Sequence, residues 1–267
     1  MHAEQSSDTE RMPVLFVGHG SPWNAIDDNA FTRMLENLGL EIPRPKAILC
    51  VSAHWLTEGT WVTGMESPRT IHDFYGFPEE LFLIRYPSPG SPEVARRVSS
   101  LIVAPQITID RDRWGLDHGT WAVLRRMYPD ARIPVLQLSL SIADPPEYHF
   151  ELGRKLRKLR EEGVLMIGSG NIVHNLRRIR WEEDAAPYDW AVEFDEWVKE
   201  KLTRGDHLAL MKEATQTEAG KLSIPTAEHY LPLIYALGAA DSRDKLRFDY
   251  EGFQNGSISM RCLSFRP

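Results

Sequence analysis

Four of the chain's nine histidines stand where apolar segments give way to loops or helix starts: His19 in VLFVGHGSP, His54 in AILCVSAHW, His174 in GVLMIGSGNIVHN and His229 in PTAEHYLPL. A neutral imidazole is a nitrogen base with one free lone pair. Several of them gathered without thiolates form a donor set that suits zinc or iron better than magnesium or calcium. In an open α/β sheet, ligands bind in the crevice beyond the strands' carboxyl ends, so histidines leaving several strand ends can meet at one point. His19 is flanked by Gly18 and Gly20, which let the backbone turn sharply and approach a bound group closely. His54 repeats the arrangement after Val51-Ser52-Ala53. These two are the first candidate ligands.

The third candidate comes from the C-terminal part. Thr226 is placed to cap a helix over 227–237 with Glu228 and His229 in its first turn. Adjacent helical residues diverge by about 100°, so one metal rarely takes both. His229 shares a stripe with Leu233, Ala236 and Leu237 that points it inward, while Glu228 opposes the positive end of the helix dipole. His229 is therefore the expected ligand. Glu228 in its place gives the alternative, the two-histidine, one-carboxylate triad of non-haem iron oxygenases. His174 is expected either as a fourth ligand or as a free acid/base, since imidazole titrates near neutrality. His118, in WGLDHGTWAVL, sits where a turn enters a helix with Asp117 as cap, and His72, in TIHDFYGFP, lies in an aromatic loop that reads as a packed surface segment or as a lid over a flat ring. His2, His149 and His207 read as surface residues.

The elements that must carry these residues are legible in the apolar pattern. Residues 13–18, 46–52, 133–138 and 164–168 are runs of Val, Ile and Leu without polar alternation, the mark of strands covered on both faces. Helical stretches are expected at about 28–39, 92–103, 118–128, 146–161, 188–203 and 227–237, with Ser91-Pro92 as a cap and first-position proline. The reading is a single α/β domain around a central, largely parallel sheet with helices on both faces. The stretch 203–222 reads as a surface excursion, RKLRKLREE at 154–162 as a solvated helix face, and the tail SISMRCLSF as a half-buried strand.

Composition narrows the function classes. With 267 residues, 42% of them hydrophobic, the chain can bury a sizeable core. A net charge of −7 without a basic block argues against nucleic acid as a partner. No apolar run approaches the roughly 18 residues that span a bilayer, and no signal segment opens the chain, so a soluble cytoplasmic protein is expected. Cys50 and Cys262 support neither a disulfide framework nor a thiolate zinc site. There is no Walker loop, G-x-S-x-G elbow or H-E-x-x-H helix, and GSGN at 168–171 lacks the third glycine of a dinucleotide fingerprint.

Taken together, GHGSPWNAIDDNAFTR, RPKAILCVSAHW, TIHDFYGFP, WGLDHGTWAVLRRMYPDARIPVLQLS, SGNIVHNLR and PTAEHYLPLIYALGA resemble the 4,5-DOPA extradiol dioxygenase family, the DODA-type branch of the class III (LigB-like) extradiol ring-cleaving dioxygenases. The resemblance runs from about Arg11 to Met260, which leaves 1–10 as a flexible segment ahead of a catalytic domain over 11–267. It implies an α/β sandwich around a mixed sheet, one divalent metal held by His19, His54 and the His229 position, His174 at the metal as acid/base or fourth ligand, and His118 lining the substrate pocket. His72, from its aromatic loop, is the further candidate for substrate binding. The wider class uses a carboxylate as third ligand, whereas this sequence offers both Glu228 and His229. The implied reaction opens a catechol next to its hydroxyls with both atoms of O2, giving a semialdehyde. Iron(II) is expected for activity, and zinc can fill the site without supporting that reaction. The competing expectations are a zinc hydrolase using the same histidines, and a non-catalytic binding protein on the same scaffold.

Overall fold

The computed structural model describes residues 11–182 and 185–267. Its strands are, in chain order, β1 (Val14–Gly18), β2 (Ala47–Thr57), β3 (Trp61–Thr63), β4 (Arg69–Thr70), β5 (Thr108–Asp110), β6 (Gly115–Leu116), β7 (Val135–Ser141), β8 (Val164–Gly170), β9 (Lys245–Tyr250), β10 (Phe253–Gln254), β11 (Ile258–Ser259) and β12 (Cys262–Arg266). The helices are α1 (Ala30–Glu41), α2 (Glu79–Leu83), α3 (Pro92–Leu101), α4 (His118–Met127), α5 (Pro146–Leu156), α6 (Asp189–Arg204), α7 (His207–Lys212), α8 (Glu218–Ser223) and α9 (Leu231–Ala239). Eight strands form one sheet in the order β5-β3-β7-β2-β8-β1-β12-β9. Its centre, β7-β2-β8-β1, is parallel throughout. Antiparallel pairings of β12 and β9 on one flank, and of β3 with β7 on the other, make the whole sheet mixed.

The four apolar runs became those four parallel strands because both of their faces are covered. Side chains alternate between two cores: Val14, Phe16, Leu49, Val51, Leu138 and Met166 point to one, while Leu15, Val17, Ile48, Cys50, Leu165 and Ile167 point to the other. Helices α5, α6 and α9 close the first core, and α1 and α4 close the second. The expected caps are present. The Ser91 hydroxyl accepts from Val94 N–H at the start of α3, and Asp117 accepts from Thr120 N–H at the start of α4.

Several expectations are corrected. The last helix begins at Leu231 rather than 227, because Pro232 has no N–H and its ring would clash with the carbonyl four residues back; it is accommodated in the first turn. Thr226 therefore caps nothing; its hydroxyl donates to Glu228 Oε1 at 2.7 Å, and Glu228 lies ahead of the helix rather than in its first turn. His149 is buried, not superficial, since it shares the inner stripe of α5 with Leu152, Gly153 and Leu156. His207 is half-buried, and His2, with the rest of segment 1–10, lies outside the described residues. The basic run leaves α5 at Leu156, and Arg160 is fully buried against Asp244 at 2.7 Å. The tail divides into β11 and β12, and Cys262–Phe265 are buried on both sides because β12 lies inside the sheet between β1 and β9. Residues 203–222 form α7 and α8, whose Ala209, Leu210 and Ala219 are buried. Among the described residues no helix is long and apolar enough to cross a membrane.

Candidate metal centre

The parallel centre of the sheet directs the ends of β1, β2 and β8 to one edge, and α4 packs against β2 and β8 there. His19 leaves β1, and its N–H donates to Gly170 O at 3.0 Å. His54 continues the β2 alternation on the α4 side, after Cys50 and Ser52. His229 sits in the turn before α9, with its carbonyl accepting from Asn171 N–H at 2.8 Å. That turn can lie on the end of β8 only because Gly170 has no side chain: a Cβ there would stand 2.1 Å from His229 O. The GSG of β8 thus serves close packing, not phosphate binding. Gly119 in α4 plays the same part on the other side, since a Cβ would meet Ser52 Oγ at 2.7 Å, His54 Cδ2 at 3.1 Å and His19 Cε1 at 3.3 Å.

Three imidazoles converge: ring centroids are 5.0 Å apart for His19 and His54, 5.5 Å for His19 and His229, and 5.1 Å for His54 and His229. Their tautomers follow from what holds each Nδ1. The Ser169 hydroxyl donates to Gly119 O at 2.5 Å, so toward His19 Nδ1, 3.0 Å away, its oxygen is the acceptor. His54 Nδ1 lies 3.2 Å from the Asp73 carboxylate and His229 Nδ1 3.1 Å from Glu228 Oε1. A carboxylate only accepts, so each of the three rings carries its proton on Nδ1 and a lone pair on Nε2. The Nε2 atoms of His19 and His54 then face each other at 3.1 Å, and His229 Nε2 is buried with no hydrogen-bonding partner among the described residues. Lone pairs so arranged repel in the dry interior, and a cation between them removes the repulsion. The donor set fits a divalent transition metal.

Burial, reinforced by the neighbouring imidazoles, pushes His19 and His229 well below the usual histidine range and His54 to about 3. The rings therefore stay neutral, as metal ligands must be. His174 follows β8, is held by its N–H to Ser223 O at 2.9 Å, and stacks face to face on His229 with centroids 3.4 Å apart. Burial lowers it to about 4. His118 opens α4, 4.1 Å by centroid from His54, and the edge of Phe74 meets it at 5.6 Å. His72 stands one layer further out. Its Nε2 lies 3.0 Å from Ile84 O, and its ring packs on Phe74, Phe82 and Trp121.

Among the described residues, ligand atoms within 4.8 Å of one another form three overlapping groups: His19, His54 and His229; His54, Asp73 and His118; and His174, Glu228 and His229. Sequence reasoning found the histidines and Glu228 but missed Asp73 and Ser169. The missed signals were a carboxylate between His72 and Phe74, and a serine continuing the β8 alternation to the strand's end. It also missed the support behind the centre, where the fully buried Asp117 accepts from Ser52 Oγ at 2.7 Å and Gln137 Nε2 at 2.6 Å. Burial, with the nearby Asp73 charge, raises the Asp117 carboxyl to about 6.

Residues 14–260 match the family described as the catalytic LigB subunit of aromatic ring-opening dioxygenase. The chain belongs to the LigB family. Among similar proteins, the 4,5-DOPA dioxygenase extradiol of Escherichia coli (strain K12) is 51% identical over 94% of this chain and 93% of its own. The protein of the same name from Beta vulgaris is 38% identical over 94% of this chain and 96% of its own. A crystal structure of an uncharacterized Escherichia coli K12 protein superposes with a TM-score of 0.84 at 47% identity, covering 95% of this chain and 99% of that one. LigB membership makes the chain a metal-dependent, ring-opening dioxygenase acting on a small aromatic substrate with O2. The cluster of histidines at the sheet edge offers a set of donors that could hold that metal.

Proposed function

We propose that residues 11–267 form one catalytic domain that cleaves a DOPA-like catechol in extradiol fashion, with iron(II) held by Nε2 of His19, His54 and His229. The observation that carries this reading is the set of three Nε2 lone pairs turned to one point while each Nδ1 is held by an acceptor of its own. Iron(II), when bound, supplies the one-electron exchange that lets O2 react with a closed-shell catechol, a chemistry zinc lacks.

The protein's own groups do the rest. His118 and His174 flank the three ligands, placed to exchange a phenolic proton with a catechol bound there. His174 can accept because burial keeps it neutral. The loop bearing His72, Phe74 and Phe77 supplies an aromatic wall beside the histidines, with Phe77 at 6.2 Å from Trp23 and Phe74 edge-on to His72 and His118. The reaction balances without a further reductant: the ring C–C bond beside the hydroxyls breaks, both oxygen atoms enter the product, and the catechol gives up every electron that O2 takes. The DOPA-like substrate is inferred from the relatives named 4,5-DOPA dioxygenase extradiol.

The test is anaerobic reconstitution with Fe(II) followed by oxygen-electrode assays over a catechol panel that includes L-DOPA. Oxygen uptake matched by a yellow ring-opened product is expected from Fe(II) and not from Zn(II). Metal-dependent hydrolysis without oxygen uptake would contradict the reading and select a zinc hydrolase.

A further inference from the structure

The carboxylate of Asp73 is shared. One oxygen, Oδ2, lies 3.2 Å from His54 Nδ1 and 2.9 Å from His118 Nδ1, while Oδ1 accepts from the His118 backbone N–H at 2.9 Å. Asp73 is mostly buried, and three donors thus converge on one anion at the start of α4. The segment that carries it is tied down on both sides. Thr70 pairs with Leu116, Ile71 N–H donates to Leu116 O at 2.7 Å, and Ile71 O accepts from Trp121 Nε1 at 2.8 Å. Phe74, the next residue, packs edge-on against His118.

From this geometry we propose that Asp73 is the positioning residue that sets the tautomer and orientation of two histidines at once: His54, which holds the metal, and His118, which faces the substrate. The inference rests on the proposed metal centre. With Asp73 ionised, both rings carry hydrogen on Nδ1 and present Nε2 to the site. An asparagine of the same size cannot do this. If its carbonyl serves the two Nδ1–H groups, its amide faces the His118 N–H, donor against donor. If it is flipped, the amide faces both Nδ1–H groups and forces the rings toward the Nε2–H form, which has no lone pair for a metal.

Asp73→Asn should therefore keep its melting temperature within a few degrees yet bind Zn(II), read by competition with a chromogenic chelator, about 10–100-fold more weakly than the unsubstituted protein, the usual effect of losing an outer-shell partner. Unchanged Zn(II) affinity in a folded Asp73→Asn variant overturns the proposal. A second measurement needs neither the variant nor the metal. In 15N-histidine-labelled, metal-free protein at pH 8, long-range 1H–15N spectra assigned with His54→Gln and His118→Gln variants should show both rings as Nδ1–H tautomers. An Nε2–H form of either ring overturns it. Failure of the unsubstituted protein to bind Zn(II) at all would instead sink the metal centre, and the spectra would still decide the role of Asp73.

Discussion

Replacing Glu228 by glutamine removes a charge but leaves a carbonyl oxygen able to accept from His229 Nδ1. Replacing His229 by alanine removes the lone pair aimed at the centre. The two substitutions separate the candidates for the third ligand, because Glu228 Oε1 already accepts from Thr226 and stands 3.1 Å from His229. Glu228→Gln should retain stoichiometric metal with affinity reduced by about 10-fold, while His229→Ala loses it, as elemental analysis of dialysed protein would read. The reverse result assigns the carboxylate. At this scale the sequence was informative wherever a histidine followed an apolar run, because strand ends converge in a parallel sheet. It was silent about the acceptors. Asp73 and Ser169 act through Nδ1 atoms of residues far from them in the chain, and nothing local marks a carboxylate that holds another residue's ring.

At the scale of elements, continuous apolar runs gave the parallel centre of the sheet. The flanking strands gave little signal: β3 and β5 have three residues each, and none of the residues of β9 is fully buried. The helix at 227–237 was misplaced because a 3.6-residue stripe was followed through Pro232. His149 was misread because one histidine in a basic, acidic and aromatic segment does not announce an inward face; only the packing of α5 on α9, with Tyr235 at 5.3 Å from the ring, shows it. Burial lowers this imidazole to about 4, against 6.5 when exposed. Between those values the unfolded chain binds the proton and the folded one does not, so stability rises with pH across the window and falls as pH drops from 6.5 toward 4. The shift corresponds to about 3 kcal/mol at most. His149→Leu should flatten that part of the curve of melting temperature against pH relative to the unsubstituted protein. The buried histidines of the metal centre add to the same slope, so an unchanged curve would mean that His149 contributes none of it.

Across the whole molecule, buried ion pairs join the ends of the chain to the sheet. Arg11 and Arg160 meet Asp244, at 2.6 Å and 2.7 Å. Arg261, between β11 and β12, is enclosed by Asp195, Glu196 and Glu251, while Asn171, just past β8, donates to Ser259 O at 2.8 Å. The C-terminal strands are thus tied to the end of β8, beside the candidate metal centre. A tail read as a half-buried strand gave no sign that its arginine is fully enclosed. Arg261→Met leaves Asp195 buried without its cation and should cost about 3–5 kcal/mol in urea unfolding. A loss below about 1 kcal/mol would return the pair to the level of a surface contact. Among the described residues three overlapping groups of ligand atoms compete for the metal, and only the first is made of imidazoles alone. Crystals soaked with Fe(II) under anaerobic conditions and measured at the iron absorption edge should give one anomalous peak, at about 2.0–2.2 Å from Nε2 of His19, His54 and His229. A peak among His174, Glu228 and His229, or beside Asp73 and His118, would contradict the account.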